Sequence, residues 1–268
     1  MNVKVISCWS QFLQETTQYD QWAFRGQPFA NLPLLSSLAR RLNQLDGPKE
    51  NWPMREQRTI RVFKRKAHVH IQDQSALSNT FRCMAIMQHH GAATRLLDFT
   101  KSPFVAAFFA LESALDDVVV YALNTPALWR RNPAFDLTLT RSAINPRNEE
   151  NLEKYFLSNQ YPIIWFGEPD EMDSRLVAQS GLFVVPGQLH LTIDELLDQY
   201  KTDNEPLLVQ LILRKQMRGE AMRELYRMNI THASLWPDLD GLATSMNQEL
   251  EIVWQPLLQA TNKKKQKG

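Results

Sequence analysis

Hydrophobic residues follow two patterns along the chain, and each pattern predicts a different kind of element. Short apolar runs bounded by turn residues predict strands, and these runs are WAFRG, TRLLDFT, VVVYALN, PIIWFG, GLFVVPG and LLVQLILR. Apolar positions three or four residues apart predict helices over 9–18, 54–72, 77–90, 103–115, 148–157, 173–180, 192–200 and 215–228. Because helices and strands do not alternate strictly, the pattern favours an α+β fold over a doubly wound sheet.

The most apolar predicted helix follows the TRLLDFT strand directly and is rich in alanine and phenylalanine. Ser102 and Pro103 are typical of a helix start, because serine caps free N–H groups and proline at the first position needs no N–H partner. We expect this helix to be buried against a mixed or split sheet with TRLLDFT at its centre. It is shorter than the roughly 20 residues that span a bilayer, and no other apolar run reaches that length, so no membrane partner is expected.

No glycine- or serine-rich linker divides the 268 residues, so we expect a single domain over 1–262 and a basic, flexible tail over 263–268. Turn-rich segments predict loops at 43–53, 124–133 and 201–206. Hydrophobic residues at 44% and charged residues at 22% are typical of a chain with an ordinary packed core.

Charge and cysteine content narrow the class of protein. The net charge of +1 gives no general attraction for nucleic acid. One predicted helix carries a basic stripe, for which we expect a solvated face, with a phosphate-binding surface as the alternative; the stripe is Arg55, Arg58, Arg61 and Arg65. Cys8 and Cys83 make no disulfide framework and have no metal-ligand spacing. The N-terminal stretch turns polar too soon for a signal peptide, so a cytoplasmic location is expected.

The stretch AFRGQ places an arginine between an aromatic residue and a glycine. Arg25, leaving a strand whose Phe24 faces the core, can serve as a cationic clamp for a carboxylate or phosphate. Gly26 is expected either to turn the chain or to admit a close neighbour. The alternative is a surface arginine at a turn.

A second group of polar residues lies in QHHGAATRLLDFTKSP. In a strand, Thr94, Asp98 and Thr100 share one face and Arg95 lies on the other. Because the N–H groups at a helix start attract anions, Asp98 and Thr100 beside that start predict a ligand site. The alternative is that Asp98 acts as a cap or pairs with Arg95 or Arg25 and only stabilises the turn.

The neighbouring histidines do not predict a metal site. His89 and His90 are adjacent and diverge on a helix, so they can hardly bind one ion. The chain also lacks an HExxH or CxxC motif, so no metal is expected.

Further along the chain, Arg175 and Gln179 share a helical face. SLWPDLDGLA places Asp238 and Asp240 in a turn before a helix, where one is expected to cap the helix, or both to act as acid and base. In NQELEIVW, Glu249 and Glu251 share a face if the segment is extended.

These blocks together identify a family. Phe24-Arg25-Gly26, QHHGAATRLLDFTKSPFVAAFFA, RLVAQSGLF and SLWPDLDGLA resemble, in this order, the blocks of FRG-domain proteins over about residues 20–245. Members of that family occur in bacteria and in phage-like contexts, so the resemblance implies a bacterial toxin or phage-defence effector.

The order of an aromatic–Arg–Gly strand, a hydroxyl-bearing strand end and a late acidic residue is similar to ADP-ribosyltransferases of the arginine–serine–glutamate class. This similarity implies that NAD is the substrate, with an arginine on its pyrophosphate and a carboxylate stabilising the charge left as nicotinamide departs. The residues it implies for cofactor binding are Arg25, Gly26, Thr94, Arg95, Thr100, Ser102 and Gln179. Those it implies for catalysis are Arg25, His89, Asp98, Asp238 and Asp240. The late acid stays open among Asp238, Asp240, Glu249 and Glu251.

Two other functions stay open at this point. One is a non-catalytic module that binds a nucleotide-like small molecule or a protein. The other is a metal-dependent nuclease acting through His89, Asp98 and Asp238. A protein or nucleic-acid target is compatible with the transferase, but the sequence identifies neither the target, the pathway nor the oligomeric state.

Overall fold

The computed structural model describes residues 2–71, 73–200 and 205–254 and folds them around a mixed sheet of seven strands. The strands are β1 (Asn2–Ile6), β2 (Ala23–Gln27), β3 (Leu97–Thr100), β4 (Val118–Leu123), β5 (Ile164–Gly167), β6 (Gly181–Pro186) and β7 (Leu208–Leu213). They lie in the order β1-β7-β4-β2-β3-β6-β5, with β1 parallel to β7 and the other ladders antiparallel. The predicted α+β class is confirmed. The expected tail at 263–268 lies outside the described residues.

Helices cover the sheet on both faces. They are α1 (Trp9–Thr16), α2 (Ser37–Leu42), α3 (Trp52–Ala67), α4 (Thr80–His89), α5 (Pro103–Leu111), α6 (Thr125–Trp129), α7 (Glu149–Asn151), α8 (Ser174–Ala178), α9 (Ile193–Leu197), α10 (Arg218–Arg227), α11 (His232–Leu235) and α12 (Leu239–Glu249). Helix α7 continues as a π-helix over Leu152–Leu157, and α12 continues as one over Leu250–Trp254. Within the described ranges, no helix has the length and apolar character to cross a membrane.

All six predicted strands form, but the TRLLDFT strand is shorter than its pattern suggested. The Thr94 hydroxyl accepts the N–H of Leu96 at 3.1 Å, and the Thr94 carbonyl accepts the N–H of Leu38 in α2 at 3.0 Å. These bonds, one within the segment and one to α2, take the place of ladder bonds, so β3 begins only at Leu97. In the sheet, β3 lies in the interior, between β2 and β6.

Helix α5 is buried as predicted, and it packs most closely on β2, with β4 and β3 beside it. A Cβ atom on Gly26 would lie only 1.9 Å from the carbonyl oxygen of Ala106, so glycine is required where the two backbones meet. Gly26 lies inside β2 and its φ is not positive. The expected turn at Gly26 is therefore wrong, and the close approach of a neighbour is the reason for the glycine.

The sheet opens between β2 and β3, and this opening positions the site described below. Strand β2 pairs with β4 over its whole length, and β3 pairs with β6 over its whole length. Between β2 and β3 the register holds one pair, Phe24 with Thr100. Beyond that pair the two strands diverge, which leaves room for side chains between them.

Candidate functional site

A cavity of about 360 Å³ lies where β2 and β3 diverge, at the lower end of the volumes of small-molecule sites. Its walls come from β2, β3, α4 and α8, from the residues after α5, and from the end of α11. Its charged and titratable side chains are Arg25, His89, Asp98, Glu112, Asp173 and Arg175. Residues that are far apart in sequence thus meet in one place.

Arg25 lies on β2 with its guanidinium in this cavity. Its Nη1 donates to the backbone oxygen of Asp98 at 2.6 Å, across the gap between the strands, while its Nε is buried without a hydrogen-bond partner. Burial lowers the pKa of Arg25. The Asp98 carboxylate raises it, and the positive charge of the nearby Arg40 lowers it. In the part of the chain that the structure describes, no carboxylate forms an ion pair with Arg25.

The Asp98 side chain is held from α4 rather than by an arginine. Gln88 donates from Nε2 to Asp98 Oδ2 at 2.9 Å and accepts the Thr94 hydroxyl on Oε1 at 2.7 Å. The alternative left open by the sequence, pairing of the Asp98 carboxylate with Arg95 or Arg25, does not form: Arg25 binds the Asp98 carbonyl, and Arg95 pairs with Glu56. Thr94 is buried behind this wall and does not line the cavity.

On the opposite wall, His89 pairs with Asp173. His89 Nδ1 lies 3.1 Å from Asp173 Oδ2, while Asp173 Oδ1 accepts the N–H of Leu176 at 2.8 Å and so caps α8. Arg175 Nη1 donates to the His89 carbonyl at 3.4 Å. Sequence reasoning missed Asp173, although an aspartate just before a predicted helix is a cap signal.

Glu112, which follows α5, was also missed, because nothing in the local pattern distinguishes it from a surface glutamate. Its Oε2 lies 2.6 Å from His232 Nε2. Burial raises the pKa of Glu112 to about 7 and lowers the pKa of His232. The His232 ring stacks on Trp236 at 4.7 Å between centroids, and the Arg175 guanidinium lies 5.1 Å from the same indole.

Thr100 and Gln179 line the cavity, but their polar groups brace its wall. Thr100 donates its hydroxyl to the Gln179 carbonyl at 2.7 Å and accepts the N–H of Ser102 at 3.0 Å. Gln179 Nε2 donates to the Leu235 carbonyl at 3.1 Å, which ties β6 and α8 to α11.

Four other sequence candidates lie outside the cavity. Arg95 is fully buried in an ion pair with Glu56, so no ligand in the cavity can reach it. Ser102 caps α5 through the N–H of Val105, as predicted. Asp238 caps α12, and Asp240 is exposed in the first turn of that helix. The geometry of these residues is explained by folding alone.

The remaining late acids do not reach the cavity either. The NQELEIVW segment is helical rather than extended, so the condition under which Glu249 and Glu251 would share a strand face is not met. Glu251 forms an ion pair with Arg218. Of the four late acids implied by the resemblance, none lines the cavity, and Glu112, Asp98 and Asp173 are the carboxyl groups that do.

The nuclease hypothesis required His89, Asp98 and Asp238 to gather around a metal. Asp238 is instead a helix cap, and His89 pairs with Asp173. Over residues 2–71, 73–200 and 205–254, no three His, Cys, Asp or Glu side chains form a group that could hold a metal ion.

Comparison with known proteins gives one match. Residues 20–118 match the family model of the FRG domain. This span is shorter than the 20–245 suggested by the sequence blocks, and it includes β2, α4, β3 and α5. It supplies the wall with Arg25, His89 and Asp98, while Asp173 and Trp236 come from beyond it. No curated protein and no solved structure matches the chain.

Proposed function

Since the chain carries an FRG domain, we propose that its cavity binds NAD and cleaves the nicotinamide–ribose bond, as an ADP-ribosyltransferase-like enzyme. The observation that carries the proposal is the guanidinium of Arg25, which lines the cavity with a buried, unpartnered Nε and with no carboxylate ion pair among the described residues. A half-buried guanidinium that no carboxylate pairs with directly can still bind an anionic ligand, so a site of this kind favours one.

The chemistry of Arg25 suits a phosphate in particular. Its planar guanidinium can donate two parallel hydrogen bonds to phosphate oxygens, and in the described ranges only Nη1 is engaged within the protein, by the Asp98 carbonyl. Arg40 lies close enough to lower the pKa of Arg25, and Arg175 lines the same cavity, so Arg25 has two further arginines in its surroundings. These features support binding of the NAD pyrophosphate.

The rest of the cavity suits the nicotinamide end. Phe109, Phe183 and Trp236 line it and offer apolar surface for a planar ring. When the bond between ribose C1′ and the nicotinamide nitrogen breaks, its electron pair returns to the ring and C1′ becomes electron-poor. Of the three carboxyl groups that line the cavity, those of Asp98 and Glu112 can stabilise that charge, since Asp173 pairs with His89 and caps α8.

One observation favours a second candidate, a module that binds a nucleotide without cleaving it. The Thr100 hydroxyl both donates and accepts within the protein, and Ser102 caps α5, so the hydroxyls implied to orient the ribose are already engaged. Turnover therefore separates the two functions. The toxin or phage-defence role implied by the resemblance is proposed together with the catalytic function, cleavage of NAD.

The test measures NAD binding by calorimetry and free nicotinamide by chromatography. We expect the wild-type protein to bind NAD and release nicotinamide. Arg25→Lys should keep its melting temperature but bind NAD about 10- to 100-fold more weakly, because lysine lacks the planar guanidinium that donates two parallel hydrogen bonds. Arg227→Lys, at an exposed ion pair with Glu224, is the matched control.

NAD binding and nicotinamide release together distinguish the two candidate functions. Binding without nicotinamide release identifies the non-catalytic module, and absence of NAD binding refutes the proposal. If Arg25→Lys leaves both the melting temperature and NAD binding unchanged, Arg25 is a surface arginine with no role as a clamp.

A further inference from the structure

The wall of the cavity holds a titratable pair that no sequence motif indicates. Glu112 and His232 lie far apart in the chain and meet at 2.6 Å between Oε2 and Nε2, with side chains 27% and 20% exposed. Glu112 lines the cavity, and His232 lies behind it, stacked on Trp236 and edge-on to Phe108 at 5.3 Å. The pair is therefore fixed in position by aromatic packing on the imidazole.

The other charged groups around this pair are engaged elsewhere. Arg218 of α10 donates from Nη2 to the Glu112 backbone oxygen at 2.8 Å, but its guanidinium forms an ion pair with Glu251. From α8, Arg175 lies against the Trp236 indole. Burial raises the pKa of Glu112 to about 7 and lowers that of His232, so near neutral pH the carboxyl can both hold and release a proton.

We propose that Glu112 is the catalytic base of the cavity and that His232 is its positioning residue. The inference rests on the proposed function, cleavage of NAD. As the C1′–nitrogen bond breaks, a hydroxyl group of water or of a target attacks C1′, and its proton passes to the Glu112 carboxylate. The products are nicotinamide, an ADP-ribosyl group bonded to the attacking oxygen, and one proton on Glu112 that later returns to solvent.

Two other groups in the wall are less suited to this step. The Asp98 carboxylate is solvent-exposed and bonded to the amide of Gln88, which cannot relay a proton. His89 is bonded to Asp173, which is itself held as the cap of α8. Glu112 combines access to the cavity with a titratable partner behind it.

The test compares Glu112→Gln and His232→Ala with Glu224→Gln, a control that removes a carboxylate from the ion pair on α10. Nicotinamide release is measured from about pH 5 to about pH 9, and NAD affinity and melting temperature are measured in parallel. We expect Glu112→Gln to lower kcat about 100-fold or more while NAD affinity changes little, because general-base catalysis acts on the reaction step.

The pH profile reports on the pair itself. The wild-type kcat should rise with pH around a midpoint near 7, because the ionised carboxyl is the active form. In His232→Ala the midpoint should move to higher pH, because the carboxylate loses a hydrogen-bond donor. A purely structural role for His232 would lower the melting temperature without moving the midpoint, and that result would overturn its assignment.

The outcomes for the inference and the proposed function are separate. If Glu112→Gln releases nicotinamide at the wild-type rate, the inference is overturned and NAD cleavage stands. If the wild-type protein releases none, both are overturned. Should Glu112→Gln fail to fold, the midpoint in His232→Ala decides, and an unchanged midpoint overturns the inference.

Discussion

Replacing Glu56 with leucine removes the carboxylate that neutralises the guanidinium of Arg95. The Arg95 side chain is 0% exposed and that of Glu56 is 3% exposed. Arg95 donates from Nε to Glu56 Oε1 at 2.8 Å, from Nη2 to Oε2, and from Nη1 to the Pro186 carbonyl at 2.9 Å. This pair joins α3 to the end of β6, and the substitution leaves a buried cation without a counter-charge.

The expected cost follows from that burial. Breaking a buried ion pair by removing one partner costs about 3–5 kcal/mol in the free energy of unfolding. In a domain of this size, each kcal/mol lowers the melting temperature by about 2–4 °C, so Glu56→Leu should melt about 6–20 °C lower than wild type. Arg95→Met should act in the same way, because it leaves the Glu56 carboxylate buried alone.

The assay is thermal and urea unfolding of the two single variants and the double variant Glu56→Leu/Arg95→Met. The double variant should be more stable than either single one, because no uncompensated charge remains. Arg227→Met, at a pair whose side chains are 72% and 31% exposed, is the control and should cost less than about 1 kcal/mol.

The reasoning is refuted if Glu56→Leu stays within about 1 kcal/mol of wild type, or if the two single costs simply add in the double variant. Since Arg95 does not line the cavity, ligand affinity in the folded fraction should not change. A loss of NAD affinity in Arg95→Met at unchanged stability would instead restore Arg95 as a ligand-binding residue.

Three further predictions concern α5, β2 and α12. Gly26→Ala should yield no folded protein by circular dichroism, because the new Cβ meets a backbone carbonyl of α5 at 1.9 Å. Gly219→Ala should fold normally, because the new Cβ would lie 3.7 Å from the side chain of Arg223, an ordinary contact distance. Asp238→Ala should cost about 1 kcal/mol in chemical unfolding as a lost helix cap and leave NAD affinity unchanged. Phe108→Asp should prevent folding, since Phe108 is 0% exposed, while the half-buried Phe104→Asp should lower the melting temperature less.

Sequence patterns predicted the elements whose signals are complete within a few neighbouring residues. The apolar run of α5 and its Ser102 cap are of this kind. Where side-chain hydrogen bonds to the backbone compete with the strand pattern, the predicted boundary is wrong. At Thr94 the hydroxyl accepts the N–H of Leu96, and the strand begins only at Leu97. Helix α6 was predicted as a loop although Asn124 caps it, because proline and asparagine were interpreted as turn residues rather than as a helix start.

The same distinction holds for the candidate site. The structure brings six of the sequence candidates to one cavity, and these are Arg25, Gly26, His89, Asp98, Thr100 and Gln179. Their functional roles stay predictions. Arg95 and Asp238 are residues of the same chemical types, but one neutralises a buried glutamate and the other caps a helix. Residue type alone does not separate these uses, because the difference lies in burial and in the partner.

The amino-acid sequence by itself determined the α+β class, the buried helix after the TRLLDFT strand and the presence of the FRG motifs, because periodicity, caps and short motifs act between neighbours along the chain. Only the tertiary structure decided that β2 and β3 diverge after one pair and that α5 rests on Gly26. It also decided that Glu112 meets His232. Contacts of this kind depend on strand order and on the burial that follows from it, and no local pattern records either.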